Sequence, residues 1–293
     1  MTDFHLIKNF IPDVYDSIEK NYYNRGKITG IHTGFYDLDS ILGGMQKSNL
    51  IVVGGRPSMG KTAFILNIVE NAALKYRTTT AIFSFEMSKE MLINRMLCSL
   101  AKIDSSKLHC GNLGYSDWEA IAQTLNKLTE APIYVDDTVN LSVLELCEKC
   151  RKLKKEMPAL NLVVIDGFEQ ITKYSTSIDV KFYCSPTYIL KELAKELDIV
   201  ILMTCQLSRS LEQRNDKHPR LSDIKNSVLE QVADVVMLIY RNSYYYSDDD
   251  FDKKQAEIII AKHRNGAIGS IDLQFDSSHV LFQDIVENCN SLI

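Results

Sequence analysis

Residues 52–64 read VVGGRPSMGKTAF: an apolar run suited to a buried strand breaks into a glycine turn and ends on Lys61-Thr62, ahead of a helix-like apolar pattern. Gly55-Arg56-Pro57-Ser58-Met59-Gly60-Lys61-Thr62 fills every fixed position of the phosphate-loop pattern G-x-x-x-x-G-K-[ST]. Each fixed position has a physical reason. Glycine lets backbone N–H groups close around a phosphate, and the next helix adds its positive end. Lys61 then reaches the terminal phosphates of ATP, and Thr62 offers a hydroxyl to Mg2+. A strand before and a helix after are the context in which this pattern means nucleotide binding rather than a fortuitous turn.

Outward from the loop, strand-like runs at Leu50–Gly54, Thr79–Glu86, Ile133–Asp136, Leu162–Asp166, Ile199–Cys205 and Val235–Tyr240 alternate with helical patterns. The helices fall at Lys61–Lys75, Lys89–Lys102, Asp117–Leu128, Ser142–Glu156 and Thr187–Leu197. Several strands are apolar on both faces, which suits a parallel sheet covered by helices on each side. The order predicts one α/β, doubly wound domain with right-handed crossovers. Residues 33–44, TGFYDLDSILGG, read as a turn-rich lead-in, and 11–24, IPDVYDSIEKNYYN, as a short helix stopping near Gly26. Residues 256–276, AEIIIAKHRNGAIGSIDLQFD, alternate on either side of Asn265-Gly266 and predict a hairpin.

With 293 residues, 45% of them hydrophobic, the chain can bury a full core and disorder is excluded. No apolar run approaches the roughly 18 residues of a membrane span, and MTDFHLIKNF is too acidic and too broken for a secretory signal. A soluble, non-secreted protein is expected, in a bacterial cytoplasm or an organelle stroma. The net charge of -5 argues against coating nucleic acid by bulk electrostatics, though it leaves room for a local basic channel. Seven scattered cysteines fit a reducing compartment. Cys147 and Cys150 have CxxC spacing, yet on a helical pattern they are neighbours on one face, and no second ligand pair follows to favour zinc. The acidic run at 247–252, SDDDFD, reads as a solvated loop tip.

Hydrolysis requires more than a cradle: a second carboxylate for Mg2+, a group that orients water, and a positive charge for the transition state. Leu162-Val-Val-Ile-Asp166 ends an apolar strand on Asp166, where a metal-supporting carboxylate belongs at the carboxyl edge of such a sheet. Glu86 closes AIFSFE on the same edge and is placed to polarise the attacking water; a helix cap is its plainer reading. Gln206, after IVILMTC, is placed to report the state of the terminal phosphate.

These residues together resemble the DnaB-like replicative helicases, hexameric ring ATPases with a RecA-like core. The resemblance runs from about Ile11 to Phe282. It rests on TGFYDLD (33–39), GRPSMGKT (55–62), FSFEMSKE (83–90), VVID (163–166), the stretch 190–223, VADVVMLIYR (232–241) and AEIIIAKHRNGAIG (256–269). It implies a RecA-like domain over residues 28–288 and a linker-helix region over 1–27 that packs on a neighbouring subunit, with 289–293 as a tail. The resemblance makes Lys61 and Thr62 the ligands of ATP and Mg2+, Glu86 the catalytic carboxylate, Asp166 the metal holder and Gln206 the coupling glutamine. Lys262 and Arg264 match the family's trans-acting pair, and Tyr240 and Arg241 the segment beside the nucleotide base. A homo-hexamer that moves 5′ to 3′ on single-stranded DNA follows by analogy, with primase or a helicase loader as partners. On this resemblance residues 1–27 are expected to be the linker, with no match to the family's N-terminal helical domain in the 293 residues.

Three segments depart from the family pattern. The loop that grips single-stranded DNA reads Asp223-Ile-Lys-Asn-Ser-Val-Leu-Glu230, one residue short and without its glycine, with Lys225, Asn226 and Ser227 as the DNA-facing residues. After Asp166 the chain continues Gly-Phe-Glu-Gln170, and Pro186 is expected to break what is usually helix. Retained hydrolysis with an altered DNA grip is the expectation; the alternative is a replication accessory that assembles and binds ATP but unwinds weakly.

Overall fold

The structure is a computed structural model and describes residues 6–23, 27–174, 185–246 and 254–285. The strands are β1 (Leu50–Gly55), β2 (Thr79–Ser84), β3 (Ile133–Asp136), β4 (Leu160–Asp166), β5 (Val200–Gln206), β6 (Val235–Tyr240), β7 (Gln255–His263), β8 (Gly269–Asp276) and β9 (Leu281–Asp284). They form one sheet in the order β3-β2-β4-β5-β1-β6-β7-β8-β9. From β3 to β6 every neighbouring pair is parallel, and from β6 to β9 every pair is antiparallel. The helices are α1 (Ile11–Tyr23), α2 (Tyr36–Leu42), α3 (Lys61–Glu70), α4 (Lys89–Ala101), α5 (Ser105–Cys110), α6 (Tyr115–Thr129), α7 (Val143–Glu156), α8 (Phe168–Tyr174), α9 (Pro186–Leu197), α10 (Ser227–Val232) and α11 (Asn242–Tyr245).

The period of two along each strand divides the core. Ile51, Val53, Val164 and Leu202 face Phe64 and Ile68 of α3 and Leu92 of α4. Their neighbours Val52, Val163, Ile165 and Ile201 face Leu146 of α7, Leu190 of α9 and Leu229 of α10. Both faces of the parallel half are therefore covered, which is why its strands read as unbroken apolar runs. Each fully buried Val, Ile or Leu here contributes about 1.5–3 kcal/mol relative to exposure. Cys147 and Cys150 lie within the second layer, and burial pushes the Cys147 thiol up to about 11. Among the described residues no helix is long and apolar enough to cross a membrane.

Several boundaries differ from expectation. The turn-rich lead-in contains α2, whose Asp39 carboxylate accepts Thr33 N–H at 2.7 Å and the Thr33 hydroxyl at 2.8 Å and so holds the chain entering the helix. α3 stops being α-helical at Glu70 and continues through Asn71–Lys75 as a π turn. Pro186 does not break a helix: it is the first residue of α9, where its fixed φ and missing N–H cost nothing. β2 ends at Ser84, so Glu86 lies in the bend beyond it rather than closing the strand. The ladder between β7 and β8 closes at Ile260 opposite Gly269, so Asn265-Gly266 sits within a longer connection. The sequence pattern does not show α5, α8, α10, α11 or β9. The stop near Gly26, the 247–252 run and the 289–293 tail lie outside the described residues.

Candidate active site

β1 delivers the chain to Gly55 and α3 takes it up at Lys61; the residues between fold back over the carboxyl edge of the sheet. Two of them hold left-handed backbone, Ser58 at φ 64° and Gly60 at φ 99°. Gly60 is needed there: its φ disfavours any side chain, and a Cβ would stand 3.1 Å from the Phe282 ring. Lys61 Nζ donates to Gly55 O at 3.0 Å and Arg56 O at 3.2 Å, so the ammonium bridges the mouth of the loop. Burial lowers its pKa, against the opposing pull of Cys205 and of the carboxylates Glu169, Asp166 and Glu86.

Pro57, Ser58, Gly60, Lys61 and Thr62 line a cleft of about 1100 Å³. Gly55, Arg56 and Met59 belong to the same loop but do not line the cleft. Arg56 is buried and turned away, its Nε donating to Glu212 Oε1 at 2.8 Å and its Nη1 to Leu207 O at 2.9 Å.

Asp166, Glu86 and Gln206 line the same cleft. The Thr62 hydroxyl donates to Asp166 Oδ2 at 2.9 Å, and the Thr204 hydroxyl to Asp166 Oδ1 at 2.9 Å. Burial raises the Asp166 pKa, and the two hydroxyl donors oppose that rise. A hydroxyl and a carboxylate meeting at the start of α3 are hard oxygen donors, the kind Mg2+ prefers. Among the described residues no group of three or more His, Cys, Asp or Glu could hold a metal. Such an ion would thus rest on this pair, on substrate oxygens and on water, the usual mode for Mg2+ on phosphates.

Thr204 and Glu169 were not foreseen. Glu169 Oε1 accepts the Gln206 N–H at 2.5 Å, and Thr204 Oγ1 accepts the Gly167 N–H at 2.7 Å. The signals were weak but present: Thr204 shares a strand face with Gln206, and Glu169 stands one helical turn after Asp166.

The other expected residues are distributed more widely. Arg241 Nη1 donates to Ser58 O at 3.3 Å and its guanidinium lies 4.4 Å over the Phe275 ring, at the rim of the loop. Tyr240 is buried, its hydroxyl donating to Asn242 Oδ1 at 3.0 Å. Lys225 is exposed just beyond the bridge between Leu207 and Ile224, which seats this segment beside Gln206. Asn226 caps α10, its Oδ1 accepting Val228 N–H at 3.0 Å and Leu229 N–H at 3.4 Å, and Ser227 opens that helix.

Lys262 and Arg264 are not brought to the cleft. β7 runs antiparallel to β6, with Glu257 opposite Tyr240 at the loop edge and His263 opposite Val235 at the far edge. There Lys262 Nζ donates to Glu230 O at 2.7 Å and Gln231 O at 2.8 Å, and Arg264 Nη2 to Gln231 O at 2.8 Å.

The sequence profile described as "DnaB-like helicase C terminal domain" matches residues 30–284. The chain is 42% identical over 285 residues to the replicative DNA helicase DnaB of Geobacillus stearothermophilus, covering 96% of this chain and 62% of that one. It is 40% identical over 294 residues to a probable replicative DNA helicase of Trieres chinensis, covering 96% and 64%. It therefore spans somewhat under two thirds of the length of these curated relatives. Among solved structures it is similar to one of an ATPase domain, with a TM-score of 0.89 at 31% identity, covering 97% of this chain and 100% of that one. A DnaB-like replicative helicase solved for its interactions with primase gives a TM-score of 0.83 at 31% identity, covering 97% and 68%. The doubly wound, mainly parallel fold with its C-terminal hairpin is borne out by these neighbours.

Proposed function

Because the chain belongs to the DnaB-like helicase C-terminal domain family, we propose that it is the ATP-hydrolysing motor of a replicative DNA helicase. The observation that carries this reading is the convergence of Lys61, Thr62, Asp166, Glu86 and Gln206 on one cleft at the carboxyl edge of the sheet.

The phosphate loop binds ATP through its backbone N–H groups and through Lys61, which exchanges the Gly55 and Arg56 carbonyls for phosphate oxygens. Thr62 and Asp166 would hold Mg2+, which would supply charge neutralisation at the phosphates. Glu86 orients and polarises water. Gln206 stands at the end of β5, one residue before the bridge to Ile224, so a shift at the phosphate passes to Lys225, Asn226 and Ser227, which contact single-stranded DNA. Tyr240 and Arg241 flank the base side of the nucleotide, Arg241 from the rim of the loop.

Lys262 and Arg264 serve the site of a neighbouring subunit. Their position at the sheet edge opposite their own phosphate loop supports this, since a cation there reaches a phosphate only in another copy. The assembly is a homo-hexameric ring translocating 5′ to 3′, with residues 1–27 as the linker and 28–288 as the motor. The apolar side chains Ile11, Val14 and Ile18 of α1 are exposed, which suits packing against a neighbour. Primase or a helicase loader is the expected further partner; one structural neighbour was solved for its interactions with primase. The protein works where its DNA is, in a bacterial cytoplasm or an organelle stroma, and is not secreted.

The test is strand displacement on a forked duplex by wild type beside Lys61→Ala, with assembly measured at the same concentrations. Lys61→Ala should assemble and fail to unwind. Equal unwinding by both proteins would end this mechanism.

A further inference from the structure

β4 and β5 run parallel and stay paired as far as Ile165 opposite Met203. β4 then ends at Asp166, where Gly167 at φ 98° turns the chain into α8, while β5 continues to Gln206. The β4-facing side of this overhang has lost its ladder partner, and a backbone N–H left there without an acceptor is costly. Two side chains replace the missing strand. Thr204 bridges the Gly167 N–H and Asp166, and Glu169 reaches back from the first turn of α8 to accept the Gln206 N–H at 2.5 Å. On its other side β5 remains zipped to β1, with Gln206 opposite Gly55 of the phosphate loop. Gln206 is thus held between the phosphate loop and α8.

We propose that Glu169 is a positioning residue for Gln206: its carboxylate stands in for the absent strand, fixes the last backbone unit of β5, and so fixes where the Gln206 amide enters the cleft. The inference rests on the nucleotide reading of that cleft. A loose backbone at Gln206 would leave ATP binding to Lys61 and the loop intact but would misplace the group that meets the terminal phosphate. The loss therefore belongs in kcat rather than KM. An amide oxygen accepts an N–H as a carboxylate does, so Glu169→Gln keeps the bond and Glu169→Ala removes it.

The experiment uses the full assembled chain with ATP and single-stranded DNA, comparing Glu169→Ala, Glu169→Gln, Gln206→Ala and the double variant Glu169→Ala/Gln206→Ala. Glu169→Ala should lower kcat about tenfold with KM for ATP within about twofold, and Glu169→Gln should restore most of it. In the Gln206→Ala background, Glu169→Ala should add no further loss. In nucleotide-free protein, amide exchange at Gln206 should quicken in Glu169→Ala and not in Glu169→Gln. An unchanged kcat in Glu169→Ala, losses that multiply in the double variant, a Glu169→Gln as slow as Glu169→Ala, or an unchanged Gln206 exchange rate each overturns the positioning role. Failure of the underlying reading is distinct: wild type would then bind ATP no better than Lys61→Ala, and the positioning role would fall with it.

Discussion

Glu70, on the helix that follows the phosphate loop, is buried, accepting the Ser99 hydroxyl on Oε1 at 2.6 Å and Asn67 Nδ2 on Oε2 at 3.1 Å. The Ser99 hydroxyl also lies 3.0 Å from Met96 O, and its single proton cannot serve both acceptors. Burial pushes the Glu70 pKa from 4.5 to about 8, against the Ser99 and Asn67 donors, which pull it down. The sign follows from linkage. Between those two values the folded chain keeps a proton that the unfolded chain has released, so stability falls as pH rises through that window and levels off above it. The slope is at most about 1.4 kcal/mol per pH unit. Glu70→Gln should therefore raise Tm at pH 8, with the gain shrinking toward pH 5; thermal melts at both values check it, and an equal gain at both would refute it.

Thr204 gives a second prediction at this scale. Thr204→Val keeps the shape but strands the Gly167 N–H and removes a donor from Asp166. It should cost about 1–3 kcal/mol in denaturant unfolding and reduce turnover as well. No spacing rule marks such a residue in advance. Lys61, Thr62 and Asp166 were legible because a phosphate loop and a strand-ending carboxylate have a required sequence form. The hydroxyl and carboxylate that tie β5 to α8 belong to a junction visible only once two strands of unequal reach lie side by side.

Among the elements, α10 ties two expected sites together. Its first turn is capped by Asn226 in the segment proposed to face DNA, and its last carbonyls receive Lys262 and Arg264. Asn226→Ala should remove about 1 kcal/mol of capping and weaken single-stranded DNA binding, while Asn226→Ser should keep the cap and weaken binding less. Fluorescence anisotropy on an oligonucleotide measures both; equal weakening by the two variants would show that the cap contributes nothing to binding beyond the amide's own contact with DNA. The elements missed in the sequence share a cause. α2 reads as turns because the Thr33 and Asp39 bonds that hold its start look like turn chemistry. β9 is four residues long, and its Phe282 N–H donates at 2.8 Å to Asn67 Oδ1 of α3, a contact far away in sequence. Pro186 reads as a breaker where it is a starter, since proline looks alike on either side of a boundary until the next turn is known.

For the molecule as a whole, the parallel half of the sheet was the most legible part, because strands covered on both faces leave apolar runs that little else produces. The placement of Lys262 and Arg264 at the far edge was not legible, since it depends on the direction of β7. It yields a complementation test. Lys61→Ala and Arg264→Ala should each abolish hydrolysis, Arg264→Ala with ATP binding nearly unchanged. Rings mixed from the two should regain part of it, because some interfaces then combine an intact loop with an intact arginine. Full turnover by Arg264→Ala alone, or no recovery on mixing, would remove Arg264 from the trans role.

The antiparallel pairing of β6 with β7 also gives each chain a polarity. A six-residue strand such as β1 spans roughly 20 Å, so loop and cations stand at opposite poles of one rigid sheet. Copies joined pole to pole form an arc in which the terminal loop always lacks a donor, and only closing the arc on itself supplies every member. Under trans catalysis, turnover per chain then becomes a count of closed circuits, and a severed circuit idles at its open end.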